Sequence, residues 1–199
     1  MDRFRDRLVL VARDDQLRPA GFVGVGPDRR SGALSPATAI HQPSNVLVGI
    51  EEQLDLLRGG AAPVIVDDPI DAIAISNVSR KLDGRWAGVP VCSDGLSTAQ
   101  VRMLRKFSLG ETALVIASGD DHRRKLTTGY LLDLARYYPQ VLAVSLSHSP
   151  SVIAAAESGP EHLNAVMSTP RPIMTYRLGG AAAADLIHDP EPPGRGWEL

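Results

Sequence analysis

The chain reads as an α/β protein: a parallel β-sheet flanked by helices, preceded by a small mixed α+β lobe. Three observations predict this. Short apolar runs, "PVIV", "VPVC", "TALVIA" and "QVLAVSL", recur at spacings that leave room for a helix after each. A strand, a crossover helix and a further strand is the unit from which parallel sheets are built. The runs are also apolar nearly throughout rather than alternating, as strands covered on both faces are.

The elements follow in order. "RLVLVA" and "AGFVGV" are β-like runs joined by the polar turn "RDDQLRP", an antiparallel hairpin by pattern. "GPDRRSGALSP" is a loop, and Gly24 and Gly26 at its start lack the third glycine and the following helix of a dinucleotide site. "SNVLVGIEEQLDLL", residues 44–57, has apolar residues at helical spacing and predicts a helix. "RGGAAP" then breaks the chain, dividing an N-terminal lobe, 1–60, from a sheet domain, 63–150, with a helical extension and flexible tail over 151–199. Within the sheet domain strands are expected at 64–66, 90–92, 113–117 and 142–146, alternating with helices. The helix starts carry their own signals: Asp68 before Pro69, Ser97 with Gln100 as a capping box, and Ser149 before Pro150.

Composition bounds the function. At 199 residues the chain can bury a proper core, and no apolar run approaches the length of a membrane span. The opening "MDRFRDRLVL" has no signal-peptide core, so a cytoplasmic protein is expected. A lone cysteine, Cys92, excludes an internal disulfide and a cysteine-built zinc site, and at a strand end it reads as a buried, inert thiol. A net charge of −2 gives no global basic field. The cations are nevertheless bunched: Arg3, Arg5 and Arg7; Arg29 and Arg30; Arg102, Arg105 and Lys106; Arg123, Arg124 and Lys125.

Ligands of such sheets bind beyond the carboxyl ends of the strands. "DD" (67–68), "SGDD" (118–121) and "SHS" (147–149) fall there. Two adjacent aspartates after a core strand have two readings. They are hard oxygen ligands for Mg²⁺, or Asp68 is simply a helix N-cap and Asp71 a first-turn acid favoured by the helix dipole. His122 sits among basic residues and reads as a phosphate contact or as an exposed helix start, and His148 has no serine and aspartate partners at a triad-like spacing. Trp86 and Tyr130 are candidates for base stacking or for ordinary packing.

The ordered segments resemble the TOPRIM domain of the DnaG-type primase catalytic core, a domain found also in conjugative relaxases and other mobile-element proteins. "VIVDDPIDAIAIS" is similar to the family's Glu-Gly-Pro-x-Asp-Ala motif after a hydrophobic strand. "VCSDGLSTAQVRML" resembles its Gly-Thr-Ala-Leu-Thr-x-x-Gln segment, "LVIASGDDHRRK" stands at its Asp-x-Asp, and "LSHSPSVI" at a stretch that carries Asp-Pro. At the front, "RFRDR" resembles the Arg-Phe-Arg-x-Arg opening of the primase core, and "SPATAIHQPSNVLVGI" its Ser-Pro-x-Thr segment.

The resemblance implies Mg²⁺-dependent nucleotidyl transfer, with Asp67 and Asp120 as catalytic carboxylates and Asp67, Asp120 and Asp121 as metal ligands. It also implies nucleic-acid contacts by Arg3, Arg5, Arg7, Arg123, Arg124 and Lys125. The motifs themselves depart from the family. Asp67 replaces Glu and is one methylene shorter; Ser118 and Ser149 replace aspartates; Asp68 and Arg123 replace glycines; Pro43, Ser44 and Asn45 stand where a Lys-Gly-Arg run belongs. A hydroxyl cannot supply the missing charge, and each lost cation removes a phosphate contact. The expectation is a degenerate primase-core-like domain with weak or no Mg²⁺ binding and weak single-stranded DNA binding. It would serve as a nucleic-acid-binding or scaffolding module, with a protein partner in a replication or conjugation complex. The alternative is an active Mg²⁺-dependent nucleotidyl- or phosphoryl-transfer enzyme.

Overall fold

Two sheets organise the computed structural model, which describes residues 5–28, 31–33, 35, 42–92, 95–117 and 121–173, with the backbone alone at 31, 33, 117 and 121–128. The first sheet has strand order β3-β2-β1-β4, from β1 (Leu8–Arg13), β2 (Pro19–Val25), β3 (Ser31–Ala33) and β4 (Leu47–Val48). β1 and β2 form the expected antiparallel hairpin, Leu10 opposite Val23 and Ala12 opposite Gly21. Its turn is held by Asp14, whose carboxylate accepts from the Gln16 and Arg18 amides and from the Arg18 guanidinium.

The helix expected over 44–57 is not formed. Leu47 and Val48 instead pair with Arg13 and Ala12 of β1, and Gly49 takes a left-handed φ of 65°. A 3₁₀ turn at Glu51–Gln53 leads only to a short helix, α1 (Leu54–Arg58). The apolar spacing that suggests a helix serves a strand and then a helical turn, because pairing with β1 satisfies backbone groups at 47–48 that a helix would have satisfied internally.

The second sheet has order β6-β5-β7-β8-β9. β5 (Ala62–Val66), β6 (Trp86–Pro90), β7 (Thr112–Ala117) and β8 (Gln140–Ser145) run parallel, and β9 (Arg171–Pro172) adds an antiparallel edge that the sequence reading did not anticipate. Between them lie α2 (Pro69–Lys81), α3 (Thr98–Phe107) and α4 (Asp121–Tyr137), and after β8 come α5 (Pro150–Ala155) and α6 (Gly159–Met167). Helices cover both faces. Ile65, Val89 and Val115 point into a core shared with Leu57, Leu104 and Leu134, while Val64, Leu114 and Val144 point into one shared with Ile75, Ile153 and Leu163. The alternation along each strand is the reason its sequence is apolar at consecutive positions.

β6 starts at Trp86, ahead of the strand expected at 90–92, and its edge is closed by α2. The outward amides of Trp86 and Gly88 donate to the buried hydroxyls of Ser79 and Ser76, each at 2.8 Å, and the next outward residue, Pro90, has no amide hydrogen. An exposed edge amide would be a template for another strand; here every second residue is silenced. The approach requires glycine at 88, because a Cβ there would lie 2.1 Å from the Ala72 carbonyl oxygen. At its far end α2 is tied to α1 by Arg80, which donates to both carboxylate oxygens of Asp55 at 3.0 and 3.2 Å.

Gly88→Ala is expected to force α2 off the edge and cost at least about 1–3 kcal/mol, and Ser76→Ala, which orphans one buried amide, about 1–3 kcal/mol; chemical denaturation of the two variants checks both. The Arg80 hydrogen bond lowers the Asp55 carboxyl from its ordinary 3.8. A depressed folded pKa contributes stability above the unfolded value and loses it as pH falls through the folded one. Asp55→Asn is therefore expected to flatten the acid limb of the stability profile below pH 3.8 while changing neutral stability by at most about 1 kcal/mol.

Candidate functional site

The carboxyl edge of the parallel sheet gathers the residues that the sequence reading singled out. β5 and β7 are neighbours, with Val64 opposite Leu114 and Ile65 opposite Val115, so the chain leaving β5 at Asp67 lies beside the chain leaving β7 at Ala117. β7 in turn pairs with β8 up to Ala117 opposite Ser145, which puts the segment leading to Ser149 next in line. The topology thus aligns Asp67, the end of β7 at Ala117 and Ser149 along one edge. Asp120 and Ser118 themselves lie outside the described residues, as does Arg3. Asp121, Arg123, Arg124 and Lys125 form the opening turns of α4 at this edge.

Two of the carboxylates here, Asp68 and Asp71, have structural duties. Asp67 is exposed beyond the end of β5. Asp68 is the N-cap of α2, its Oδ1 accepting from the Ile70 amide at 2.8 Å, and Pro69 fills the first helical position. Asp71 does more than the first-turn role expected of it. It is buried, and its Oδ1 accepts from the Ser151 amide at 3.0 Å, so it caps α5 from across the interface. Ser149 occupies the N-cap position of α5 without making a side-chain cap bond; its hydroxyl lies 3.3 Å from that of Ser151. The sequence signal for this cross-helix cap would have been an acid buried two residues into one helix and facing a serine-rich start of another, which no local pattern announces.

As a donor set for Mg²⁺, the described part of this edge does not fit. A Mg²⁺ site of this kind uses hard oxygens in near-octahedral geometry, one or two of them carboxylates and the rest waters and substrate phosphates. Asp68 and Asp71 are each turned to a backbone amide, Ser149 is a neutral hydroxyl, and among the described residues no three His, Cys, Asp or Glu side chains converge. His148 places Nδ1 3.2 Å from the Ser147 hydroxyl, its own neighbour.

The second element of the site is the joint between the two sheets. Ser97 and Gln100 form the expected capping box of α3: the Ser97 hydroxyl accepts from the Gln100 amide at 3.1 Å, and Gln100 Oε1 accepts from the Ser97 amide at 2.9 Å. The buried Gln100 then does what the box alone does not require. Its Nε2 donates to the Pro43 carbonyl at 3.0 Å and the Val46 carbonyl at 2.8 Å, while the Ser97 hydroxyl donates to the Ser44 carbonyl. The 43–46 segment, where the resemblance expects cations, is instead bolted through its carbonyls to α3.

The basic clusters divide. Arg5 and Arg7 are exposed ahead of β1, Arg5 lying 3.8 Å from Asp6. Arg105 is consumed internally: it donates to the Ser108 and Gly110 carbonyls and lies 5.6 Å over the buried Tyr138 ring. Arg102 and Lys106 face outward on α3. Trp86 and Tyr130 are buried, and Trp86 Nε1 donates to Asn164 at 3.0 Å, so both serve packing rather than base stacking. Cys92 is half-buried rather than fully so, packing beside Ala12 and Val48 of the first sheet.

This architecture has close structural counterparts. A DnaG primase catalytic domain bound to single-stranded DNA superposes with a TM-score of 0.71 over 92% of this chain and 57% of its own, at 21% identity. The fold is that of the DnaG primase catalytic core. The zinc-binding and RNA polymerase domains of Aquifex aeolicus primase match at TM-score 0.69 and 21% identity, over 94% of this chain and 45% of that one. The RNA polymerase domain of Mycobacterium tuberculosis DnaG in complex with double-stranded DNA matches at 0.67 and 20%, over 92% and 59%. By sequence, the DNA primase of Myxococcus xanthus is 27% identical over 118 residues, 58% of this chain and 19% of that protein. The DNA primase of Pseudomonas putida is 27% identical over 126 residues, 62% and 18% respectively. The match therefore spans under a fifth of the length of these two primases. No protein-family model matches it. No helix among the described residues is long and apolar enough to cross a membrane.

Gln100→Leu is expected to orphan the Ser97 amide and the Pro43 and Val46 carbonyls and to cost about 2–4 kcal/mol. Gln100→Glu keeps the acceptor but sets a carboxylate against two carbonyls, so its folded pKa is raised and its deficit should shrink as pH falls. Thermal unfolding of both variants across pH tests the joint; equal stability of Gln100→Leu and wild type would refute it.

Proposed function

We propose that this chain is a primase-core-like domain that binds single-stranded nucleic acid without carrying out nucleotidyl transfer. The observation that supports it is the use made of the edge carboxylates: Asp68 caps α2 and Asp71 caps α5, while serine stands at 149. On this reading Asp67 and Asp120, the two remaining positions of the family pattern, do not assemble enough negative charge to hold the cations that phosphoryl transfer needs. Asp121 would at most strengthen a weak site. The shorter reach of Asp67 and the side chains at 68 and 123, where glycine would let a phosphate approach, act in the same direction.

Binding is the part of the function this surface can keep. Arg5 and Arg7, with Arg3 ahead of them, and Arg123, Arg124 and Lys125 at the start of α4 are the proposed phosphate contacts. With so few cations, affinity should be low and fall steeply with salt. A role as a module of a larger replication or mobile-element assembly fits a binding domain of this kind, with the partner chain supplying what this edge lacks.

Wild type is expected to make no detectable primers on a single-stranded template with Mg²⁺ or Mn²⁺. Asp67→Glu combined with Ser118→Asp and Ser149→Asp should tighten Mn²⁺ binding in calorimetry without restoring synthesis, since positions 68 and 123 still lack the glycines of the family pattern. Robust synthesis by wild type, abolished by Asp120→Ala, would make the chain a Mg²⁺-dependent primase and overturn the proposal.

A further inference from the structure

A concavity of about 590 Å³ lies between the β1–β2 turn, the 3₁₀ turn at Pro43–Asn45 and the outer face of α3; its described lining is Asp15, Asn45, Ala99, Arg102, Met103 and Lys106. We infer that this concavity seats the sugar–phosphate backbone of a single-stranded nucleic acid, with Arg102 as its principal phosphate contact, an inference that rests on the binding function proposed above. Arg102 and Lys106 are one helical turn apart on the same face, so their charges converge on one hollow. Lys106 is partly neutralised: its ammonium donates to the Asp15 carbonyl at 2.6 Å and lies 3.7 Å from the Asp15 carboxylate. The Arg102 side chain is exposed, and its guanidinium makes no hydrogen bond or ion pair to any described residue. A planar guanidinium presented this way matches a phosphate in two-point geometry.

The rest of the lining argues for backbone rather than base recognition. Ala99 and Met103 give the hollow an apolar floor between the cations, suited to sugar carbons. The Asn45 amide already donates to Gln42 at 3.0 Å. No aromatic ring lines it among the described residues, so the stacking that holds bases on single-strand platforms is not offered there. The hollow also lies on the joint held by Gln100, whose bonds to 43–46 fix Asn45 against α3. The cations absent from the 43–45 segment thus have a counterpart on the facing helix.

The test uses fluorescence anisotropy of labelled oligo(dT) with the full chain, from about 50 to about 200 mM salt. Arg102→Glu should weaken binding roughly tenfold and lower the salt slope by about 1, with Arg102→Lys recovering part of the loss. Asp15→Asn keeps the backbone carbonyl bond to Lys106 but removes the acid, and should tighten binding roughly two- to fivefold. Unchanged binding by Arg102→Glu, or a loss unaccompanied by a gain in Asp15→Asn, overturns the assignment. If Arg123→Glu with Arg124→Glu weakens binding while both concavity variants match wild type, the binding function stands and this seat does not. Absence of any wild-type binding removes both.

Discussion

The side-chain amide of Gln100 is the interaction on which the two halves of the molecule depend. One buried residue accepts from the start of its own helix and donates to two carbonyls of a segment more than fifty positions earlier, |i−j| being 57 and 54. Each such bond is worth about 1 kcal/mol net, yet each partner left bare inside the protein costs more than that. The arrangement is therefore far stronger as a constraint on geometry than as a sum of attractions. It sets how β4 and the first sheet lie against α3, and through α3 how they lie against the parallel sheet. The Ser97–Ser44 and Lys106–Asp15 hydrogen bonds and the core contacts of Leu47 and Ile50 act across the same joint.

A second constraint runs along the carboxyl edge, where the same residue type can serve folding or chemistry. A carboxylate that accepts a backbone amide at a helix start stabilises that helix by about 1 kcal/mol, and its orientation is then set by the helix. Asp68 and Asp71 are both placed in this way, one on its own helix and one on a neighbour. An active metal edge needs its carboxylates aimed at a common point beyond the strands. The observed hydrogen bonds aim two of them, Asp68 and Asp71, back at backbone amides, and a shared fold does not by itself fix the chemistry done on it.

Much of this was legible in the sequence, and the boundary of legibility has physical causes. The parallel strands and the helices after them follow from apolar runs and caps, and the Asp68 and Ser97–Gln100 caps form as their local patterns indicate. The segment at 44–57 misleads because apolar residues at 46–48 satisfy a helical period and a strand alike; pairing with β1, a non-local event, decides between them. β6 begins at Trp86 rather than at residue 90, and Gly88 is required in mid-strand by the passage of α2 at backbone contact, which no local pattern shows. The edge serines, the Asp71 cap on α5 and the long-range bonds of Gln100 leave no trace in local spacing, since each joins residues from separate elements. At the candidate site the topology aligns the strand ends as expected, while the positions at 118–120 and Arg3 fall outside the described residues.

The arginines show why a near-neutral chain can still present a localised basic surface. Five of the described ones are held by neighbouring groups: Arg13 is paired with Glu51 and donates to the Leu17 carbonyl, Arg18 is held by Asp14, Arg80 by Asp55, Arg85 by Asp83 and Ser168, and Arg105 by two carbonyls. A guanidinium so engaged contributes little to an external field, because its partner cancels it at short range and salt screens the remainder. Net charge is thus a poor guide to this molecule's partners, since it counts internal pairs and open cations alike. What a phosphate chain would meet is set by the few cations left unpaired, by the hollow into which they project, and by the acids that flank them. On α3 those quantities concentrate at Arg102, beside a lysine whose charge is tempered by Asp15. The arginine pairs that stabilise the fold thus withdraw their charges from the external field, and the open cations, Arg102 among them, are left to set it.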